Sequence, residues 1–175
     1  MVVKTKDEIA VAVARLGQSI SRDYRGGTRP LMLGVLSGAF IFMADLVRQV
    51  SIDVDIGFIR ATSYVGTHSS GSVRVDDTLT PPVSGVPVIL VDDILDSGLT
   101  STVLHDHLSS AGAHSISLVC LLRKPNAVTL GRRWRSVYIG HDIPSTFVYG
   151  YGMDLHGKER HRGAIYAVVD DGSGV

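Results

Sequence analysis

The stretch VPVILVDDILDSGLTSTVLHDHL, residues 86–108, decides the fold. It opens on an apolar run, continues through Asp92, Asp93 and Asp96, and takes on a helical pattern from Leu99. A buried strand followed by a short loop and a helix is the repeating unit of α/β proteins. We therefore expect Asp92 to lie at the carboxyl end of a buried strand, the edge at which such sheets bind ligands.

The same alternation continues along the rest of the chain. Ile9, Val13, Leu16 and Ile20 recur at three- and four-residue spacing and indicate a helix. Near-continuous apolar strands between helices predict a mainly parallel sheet covered on both faces, and 175 residues suit one domain, residues 1–175. The predicted helices are 6–24, 40–50 and 99–112, and the predicted strands are 30–36, 54–62, 86–91, 115–122, 136–143 and 164–169.

Composition and charge argue against several classes of protein. Lysine plus arginine equals aspartate plus glutamate, 17 against 17, which disfavours a nucleic-acid partner, and GRRWRS at 131–136 is more typical of a surface turn than of a basic patch. The apolar stretch 31–44 is shorter than the roughly 20 residues of a membrane span. The single cysteine, Cys120, is expected in the core. We expect a soluble cytoplasmic protein with no membrane partner.

The segment DSGLT, residues 96–100, has the features of an anion-binding loop. It connects a strand end to a helix start, where unpaired backbone N–H groups and the helix dipole favour negative charge. Gly98 allows close backbone approach, and Ser97 and Thr100 add hydroxyl donors. A plain helix cap made by Asp96 or Ser97 is the alternative. The lysine and spacing of a P-loop are absent.

The carboxylates before this loop call for a different ligand group. Asp92 and Asp93 repel phosphate, but they suit sugar hydroxyls or a divalent cation that bridges to phosphate. A solvated acidic turn is the alternative. Because the pair directly precedes the anion loop, one ligand with both parts, a ribose phosphate, explains the segment best. Asp96 then lies between the two parts, where a carboxylate stabilises positive charge on a sugar ring or takes a proton.

Five segments together carry a family resemblance. VILVDDILDSGLT (88–100) resembles the signature of type I phosphoribosyltransferases, which bind phosphoribosyl pyrophosphate. The whole set resembles the hypoxanthine-guanine phosphoribosyltransferase family in order and spacing, from about Leu31 to Val168. The other four segments are GVLSGAFIFMADLVR (34–48), TSYVGTHSSG (62–71), LLRKP (121–125) and DIPSTFVYGYGMD (142–154).

The resemblance implies a fold and a reaction. The fold is the type I phosphoribosyltransferase fold, a mainly parallel sheet flanked by helices, with a small hood and a flexible active-site loop. The reaction is transfer of phosphoribose to N9 of a 6-oxopurine, giving IMP or GMP and pyrophosphate, in a purine-salvage enzyme that uses Mg²⁺ and forms a homodimer or homotetramer. Asp96 would be the acid/base group near N7. Ribose and phosphate would be bound by Asp92, Asp93, Asp96, Ser97, Gly98, Leu99 and Thr100.

The resemblance also assigns the remaining site residues. Lys124 would donate to the C6 oxygen of the purine, Phe147 would stack on the base, and Val148 would bind it through its backbone. Asp154 would belong to the purine-binding residues and would help hold a second Mg²⁺, while Asp92 and Asp93 would serve the first. Ser37 and Gly38, at a second strand end, would bind pyrophosphate together with Arg160, and a lid that includes Ser63 and Tyr64 would close over the cleft.

The chain departs from the family pattern at several positions. Ser37 stands where many members have lysine, Asp92 where many have glutamate, and Leu155, Gly157 and Glu159 differ from the common residues. These changes leave open a preference for xanthine over hypoxanthine and guanine. A regulator on the same fold, which senses phosphoribosyl pyrophosphate, is the alternative from another class. It would need a basic surface or an added DNA-binding domain, for which this chain has neither net charge nor spare length.

Overall fold

The computed structural model describes residues 1–64, 72–78, 80–125, 130 and 133–168. Within them the chain forms three helices and nine strands that build two sheets. The helices are α1 (Lys6–Asp23), α2 (Phe40–Val47) and α3 (Leu99–Ser110); the strands are β1 (Val2–Lys4), β2 (Leu31–Leu36), β3 (Asp55–Tyr64), β4 (Ser72–Asp76), β5 (Pro87–Leu95), β6 (Ser115–Arg123), β7 (Val137–Asp142), β8 (Val148–Tyr149) and β9 (Ile165–Ala167).

The central sheet has six strands in the order β4-β3-β2-β5-β6-β7. All its pairs are parallel except β3 with β4. Strand β2 connects through α2 to β3 on one side, and β5 connects through α3 to β6 on the other. The connections therefore diverge between β2 and β5, which makes this the switch point at which α/β sheets bind ligands.

Two apolar cores cover the two faces of the central sheet. Side chains alternate along a strand, so Met32 packs with α1 and α2, whereas its neighbour Leu33 packs with α3. Helix α1 begins with a capping box in which Thr5 and Glu8 bond each other's backbone N–H groups. Cys120 is fully buried, as expected. The predicted doubly covered parallel sheet is confirmed.

The second sheet, β1-β9-β8, is antiparallel, and we identify it with the small hood that the resemblance implied. We call this sheet, together with residues 150–164, the hood. Val2 pairs with Tyr166, so the two ends of the described chain meet here. The predicted strand 164–169 therefore belongs to the hood and not to the central sheet.

Several sequence-based boundaries were wrong. Strand β5 runs to Leu95, so Asp92 and Asp93 lie within it and not beyond its end. Strand β3 includes Ser63 and Tyr64, which were predicted as loop. Residues 133–135 form the predicted turn with Arg133 and Arg135 exposed, but the Trp134 side chain is buried against the His105 ring. Strands β1, β4 and β8 were not predicted, because segments of two to five residues carry little periodicity.

No helix within the described ranges is both long enough and apolar enough to cross a bilayer.

Candidate active site

A cleft opens where β2 and β5 part. Their parallel ladder ends at Gly34 and Val91, whereas β5 stays paired with β6 as far as Leu95. Asp92 and Asp93 therefore occupy the first positions of β5 that have lost their β2 neighbours. The carboxylates lie within a strand, yet at the edge of the opening.

One half of the cleft is a cavity of about 250 Å³ lined by the acidic strand and the anion loop. Its wall on the β2 side is formed by Val35, Leu36 and Gly38. From the residues predicted as the ribose-phosphate site, the structure places Asp92, Asp93, Asp96, Ser97, Gly98 and Thr100 on this lining.

The other half is a cavity of about 320 Å³ between the pyrophosphate-loop candidates and the hood. It shares Gly38, Asp93, Ile94 and Asp96 with the first cavity, so the two halves form one continuous cleft. Phe147 is 57% exposed at its mouth, which leaves its ring free to stack on a planar ligand. The predicted residues brought together here are Ser37, Gly38, Lys124, Phe147, Val148, Asp154 and Arg160.

The loop between β5 and α3 is built by Gly98. This residue takes the N-cap position of α3 with φ of +80°, a conformation that glycine adopts without strain. The N-cap residue itself makes no side-chain bond, but Ser97 Oγ accepts the Leu99 N–H at 3.3 Å, so the alternative of a cap is met in part by Ser97. The first turn of α3 borders the cleft through Thr100 and Ser101, and the N-terminal end of a helix favours an anion. The Leu99 side chain is exposed and does not line it.

Asp96 and Lys124 form an ion pair across the ends of β5 and β6. Lys124 Nζ donates to Asp96 Oδ2 at 2.6 Å, and the Lys124 side chain is 13% exposed against 59% for Asp96. The pair exists because the β5–β6 ladder continues to Leu95 and Arg123, which brings the following residues side by side. A ligand that enters between them must offer Lys124 an acceptor in place of the carboxylate.

Gly38 lies in direct contact with Asp93. A Cβ built on Gly38 would fall 1.8 Å from Asp93 Oδ2, so only glycine fits. On its other side, Gly38 O lies 2.2 Å from the position of a Cβ on Gly152, whose own carbonyl accepts a 2.7 Å bond from Arg160 Nη1. The acidic strand, the loop after β2 and the hood are thus packed through two glycines. The peptide bond Leu36–Ser37 is cis.

We expect Gly38→Ala to raise KM for the ligand that spans the first cavity by about tenfold or more, since a shift of about 1 Å in a site can cost a hundredfold. Either the Asp93 carboxylate or the loop must move to admit the methyl group. Steady-state kinetics checks this, with Gly27→Ala as the control, because a Cβ there meets only Tyr24 O at 3.6 Å. An unaltered KM would show that this contact does not position the site.

The hood holds Asp154 in place with two donors. Gly157 N–H donates to Asp154 Oδ2 at 2.7 Å, and Arg160 Nη2 lies 2.9 Å from Asp154 Oδ1. The atypical segment between them is a tight turn in which Leu155 and Lys158 exchange backbone bonds. The departure at Gly157 suits this turn, since its φ is +77°.

Comparison with known proteins gives this cleft a family. The phosphoribosyl transferase domain family matches residues 3–154. The chain belongs to the phosphoribosyltransferase family. Hypoxanthine-guanine phosphoribosyltransferase of Mycobacterium tuberculosis is 39% identical over 171 residues, covering 94% of this chain and 83% of the relative. The protein of the same name from Dictyostelium discoideum is 36% identical over 158 residues, covering 88% and 87%.

Solved structures superpose on this phosphoribosyltransferase along nearly its whole length. A hypoxanthine-guanine phosphoribosyltransferase from Bacillus anthracis superposes with a TM-score of 0.86 at 34% identity, covering 97% of this chain and 98% of the other. A hypoxanthine phosphoribosyltransferase from Staphylococcus aureus gives 0.87 at 30% identity, covering 100% and 94%. The type I phosphoribosyltransferase fold is therefore established.

The buried acidic pair gives the phosphoribosyltransferase site its electrostatics. Asp92 is only 7% exposed, and burial together with the neighbouring Asp93 carboxylate raises its pKa well above the usual range. Burial also raises the pKa of Asp93. Asp92 Oδ1 accepts the Asp93 N–H at 3.0 Å, and Asp93 Oδ1 accepts the Ile94 N–H at 2.8 Å. Neither of these bonds reaches Asp92 Oδ2 or Asp93 Oδ2. A cation bound to these oxygens would therefore relieve the cost of ionising both carboxyl groups.

The carboxylate oxygens of Asp92 and Asp93 are suitable ligands for Mg²⁺. The ion prefers carboxylate oxygens, keeps several waters, and is held by one or two carboxylates plus substrate phosphates. The structure offers that chemistry at Asp92 and Asp93, and no cluster of three or more acidic, histidine or cysteine ligands occurs within the described ranges. The pair thus suits a metal that arrives with a phosphorylated ligand.

Sequence reasoning missed part of the lining and leaves part of it outside the described residues. Ile94, Ser101 and Met153 line the cleft but were not predicted. Ser101 had a signal, since it directly follows the anion loop. Ser63 and Tyr64 end β3, and the rest of the predicted lid, residues 65–71, lies outside the described residues.

Proposed function

We propose that this phosphoribosyltransferase is a purine-salvage enzyme that transfers the 5-phosphoribosyl group of phosphoribosyl pyrophosphate to N9 of hypoxanthine or guanine. The products are IMP or GMP and pyrophosphate. One observation carries the proposal: Asp96 lies on the lining shared by the two cavities, between an acidic, anion-binding half and a half with Lys124 and Phe147. Relatives that cover most of the chain are named for the same reaction.

The phosphoribosyl half holds the donor through its hydroxyls and its 5-phosphate. Asp92 and Asp93 face the first cavity and accept from the ribose hydroxyls, directly or through a metal. Backbone N–H groups at Ser97–Thr100 and the N-terminus of α3 bind the 5-phosphate, with Leu99 contributing backbone only. Backbone groups of Ser37 and Gly38, with the Arg160 guanidinium, face the pyrophosphate.

The base occupies the second cavity. Phe147 stacks on the purine, Val148 binds it through the backbone, and Lys124 donates to its C6 oxygen. Adenine has an amino group at C6, which is a donor and leaves the ammonium group without an acceptor. This mismatch selects 6-oxopurines, because a buried charged donor that loses its partner is costly.

In the reaction, the bond between the anomeric carbon and pyrophosphate breaks as N9 forms the new bond. The sugar passes through an oxocarbenium-like state, and the Asp96 carboxylate on the shared lining stabilises its positive charge. Asp96 also takes the proton that the purine loses, held at N7. When bound, Mg²⁺ neutralises charge on the leaving pyrophosphate. We assign the first ion to Asp92 and Asp93, and a second to Asp154.

The remaining assignments follow the family resemblance. We propose that the lid with Ser63 and Tyr64 excludes water from the reactive sugar, since closure suppresses hydrolysis. We also propose that the enzyme acts in the cytoplasm as a homodimer or homotetramer on small-molecule substrates. In the similar hypoxanthine phosphoribosyl transferase of Trypanosoma cruzi, the C-terminal region has a role in the oligomeric state and the enzymatic activity.

Lys124→Met tests base recognition. We expect KM for hypoxanthine and guanine to rise by roughly ten- to a hundredfold, since a bond from a charged donor contributes about 1.5–3 kcal/mol. Initial rates at saturating phosphoribosyl pyrophosphate measure this. Arg123→Met is the matched control, because the adjacent Arg123 pairs with Asp142 outside the cleft. Equal effects of the two variants would place the base elsewhere.

The direct test of the function combines purified protein, Mg²⁺ and phosphoribosyl pyrophosphate with hypoxanthine, guanine, xanthine or adenine separately. We expect nucleotide formation with hypoxanthine and guanine and none with adenine. A higher kcat/KM for xanthine would reassign the substrate but keep the reaction. Tight phosphoribosyl pyrophosphate binding without turnover of any base would refute the enzyme and favour a regulator.

A further inference from the structure

A separate cavity of about 500 Å³ lies between α1, α2 and the hood. None of its lining residues lines either half of the proposed active site. Its volume falls within the range of about 300–1,000 Å³ that is typical of small-molecule sites. The reaction proposed above leaves this cavity without a role.

The floor of this inter-helix cavity is apolar. Ile9 and Val13 contribute it from α1 and are almost fully buried, and Ile41 contributes from α2. Ala10, on the exposed face of α1, leaves the entrance open because its side chain is a single methyl group. A floor of this kind favours an apolar body over a hydrated ion.

The rim of the cavity is cationic. Lys6, Arg48 and Arg162 line it from three different parts of the chain. Lys6 extends across the hood backbone, so that a Cβ on Gly163 would fall 2.4 Å from Lys6 Cε. Lys6 is exposed at the surface, and its ammonium group lies beside Gly163 at the edge of the cavity.

The carboxylates near the rim, Asp45 and Glu159, already form ion pairs with arginines. Asp45, on the lining, pairs with Arg48 and accepts the Tyr151 hydroxyl at 2.5 Å. Arg162 pairs with Glu159. Within the described part of the chain Lys6 forms no ion pair, so its charge is available to a ligand at this rim.

We propose that this cavity is a second ligand site, for a small organic anion. The apolar body of the ligand, about the size of a fused ring pair, packs on Ile9, Val13 and Ile41. Its carboxylate or phosphate group pairs with the Lys6 ammonium group in a charge-assisted hydrogen bond. The apolar floor binds the body and the ammonium group selects the charge.

Isothermal titration calorimetry with three naphthalene probes tests this site. 1-Naphthyl phosphate and 1-naphthoate carry the two candidate acidic groups, and 1-naphthalenemethanol has the same ring system without charge. We expect one molecule of an anionic probe to bind per chain at least about tenfold more tightly than the alcohol. The stronger of the two anions identifies the acidic group. Equal binding of all three probes, or no binding, would overturn the proposal.

Variants locate the binding. Lys6→Ala should weaken the anionic probes about tenfold and leave the alcohol unchanged, whereas Ala10→Phe should exclude all three by filling the entrance. Arg25→Ala, an exposed arginine outside the cavity, is the control and should bind normally. Binding that survives both Lys6→Ala and Ala10→Phe would refute the site.

Saturating GMP separates this site from the active site. GMP should leave probe binding unchanged, and competition by GMP would overturn the assignment to the inter-helix cavity. If GMP itself fails to bind in a separate titration, that result counts against the proposed function. The Lys6→Ala and Ala10→Phe results then decide the second site by themselves.

Discussion

Asp96→Asn is expected to lower kcat by about 10²- to 10⁴-fold, the usual contribution of a positioned acid/base group. The amide keeps the shape of the side chain but neither accepts the purine proton nor stabilises positive charge on the sugar. Phosphoribosyl pyrophosphate should still bind within about threefold of the wild-type affinity, because the contacts we propose for it come mainly from Asp92, Asp93, the anion loop and Arg160. Pre-steady-state turnover and calorimetric binding measure the two effects separately.

The same substitution also frees Lys124, whose ammonium group loses its partner at 2.6 Å. A control must therefore remove an equally close and exposed ion pair elsewhere. Asp142→Asn does so, since Asp142 is 68% exposed and its Oδ1 lies 2.6 Å from Arg123 Nε on the neighbouring strand. We expect wild-type kcat from this control. Turnover of Asp96→Asn within a few fold of wild type would remove Asp96 from the chemistry.

Replacing the buried pair Asp92 and Asp93 should lower turnover and raise the stability of the free protein. The double variant Asp92→Asn/Asp93→Asn is expected to lose at least about a hundredfold in Mg²⁺-dependent turnover, since a bound metal contributes several kcal/mol to the transition state. The free protein should nevertheless become more stable at neutral pH. Each asparagine oxygen can keep the backbone bond that its carboxylate accepts, and the cost of two buried charges disappears.

The sign of the pH dependence follows from the raised pKa values of Asp92 and Asp93. With a pKa higher in the folded than in the unfolded state, the folded protein binds more protons, and its free energy of unfolding falls as pH rises above the unfolded pKa. The Tm of the double variant should therefore exceed that of wild type by an amount that grows from pH 4 to pH 8. One kcal/mol shifts Tm by about 2–4 °C at this chain length, and we expect at least that difference at pH 8.

Thermal unfolding with and without Mg²⁺ and phosphoribosyl pyrophosphate checks both the higher stability of the double variant and its loss of ligand binding. Ligands that bind only the folded state should raise the Tm of wild type but not of the double variant. Asp106→Asn is the control, because Asp106 is an exposed carboxylate on α3 that pairs with Arg133. Its Tm without ligands, and the rise in Tm that the ligands cause, should both match those of wild type. A double variant that is less stable than wild type at pH 8 would show that the pair is not electrostatically costly in this fold.

Local sequence predicted the helices and strands in which apolar residues recur with the period of a helix or a strand. Helix α1 and strand β6 were located to within a residue or two, because their apolar periodicity is carried by contiguous residues. Strands β1 and β8 of the hood were missed; β1, for example, forms only by pairing Val2 with Tyr166 at the far end of the chain. Pairing at that sequence distance leaves no local periodic signal.

The sequence by itself determined the α/β alternation, the strand-to-helix loop around Gly98 and the carboxylates that precede it, because each depends on neighbouring residues. Only the tertiary structure decided where β2 and β5 part, and hence that Asp92 is buried within a strand. It also brought Lys124 onto Asp96, residues 28 positions apart. Burial and ion pairing depend on which distant groups exclude water from a site, and that is set by packing, not by local sequence.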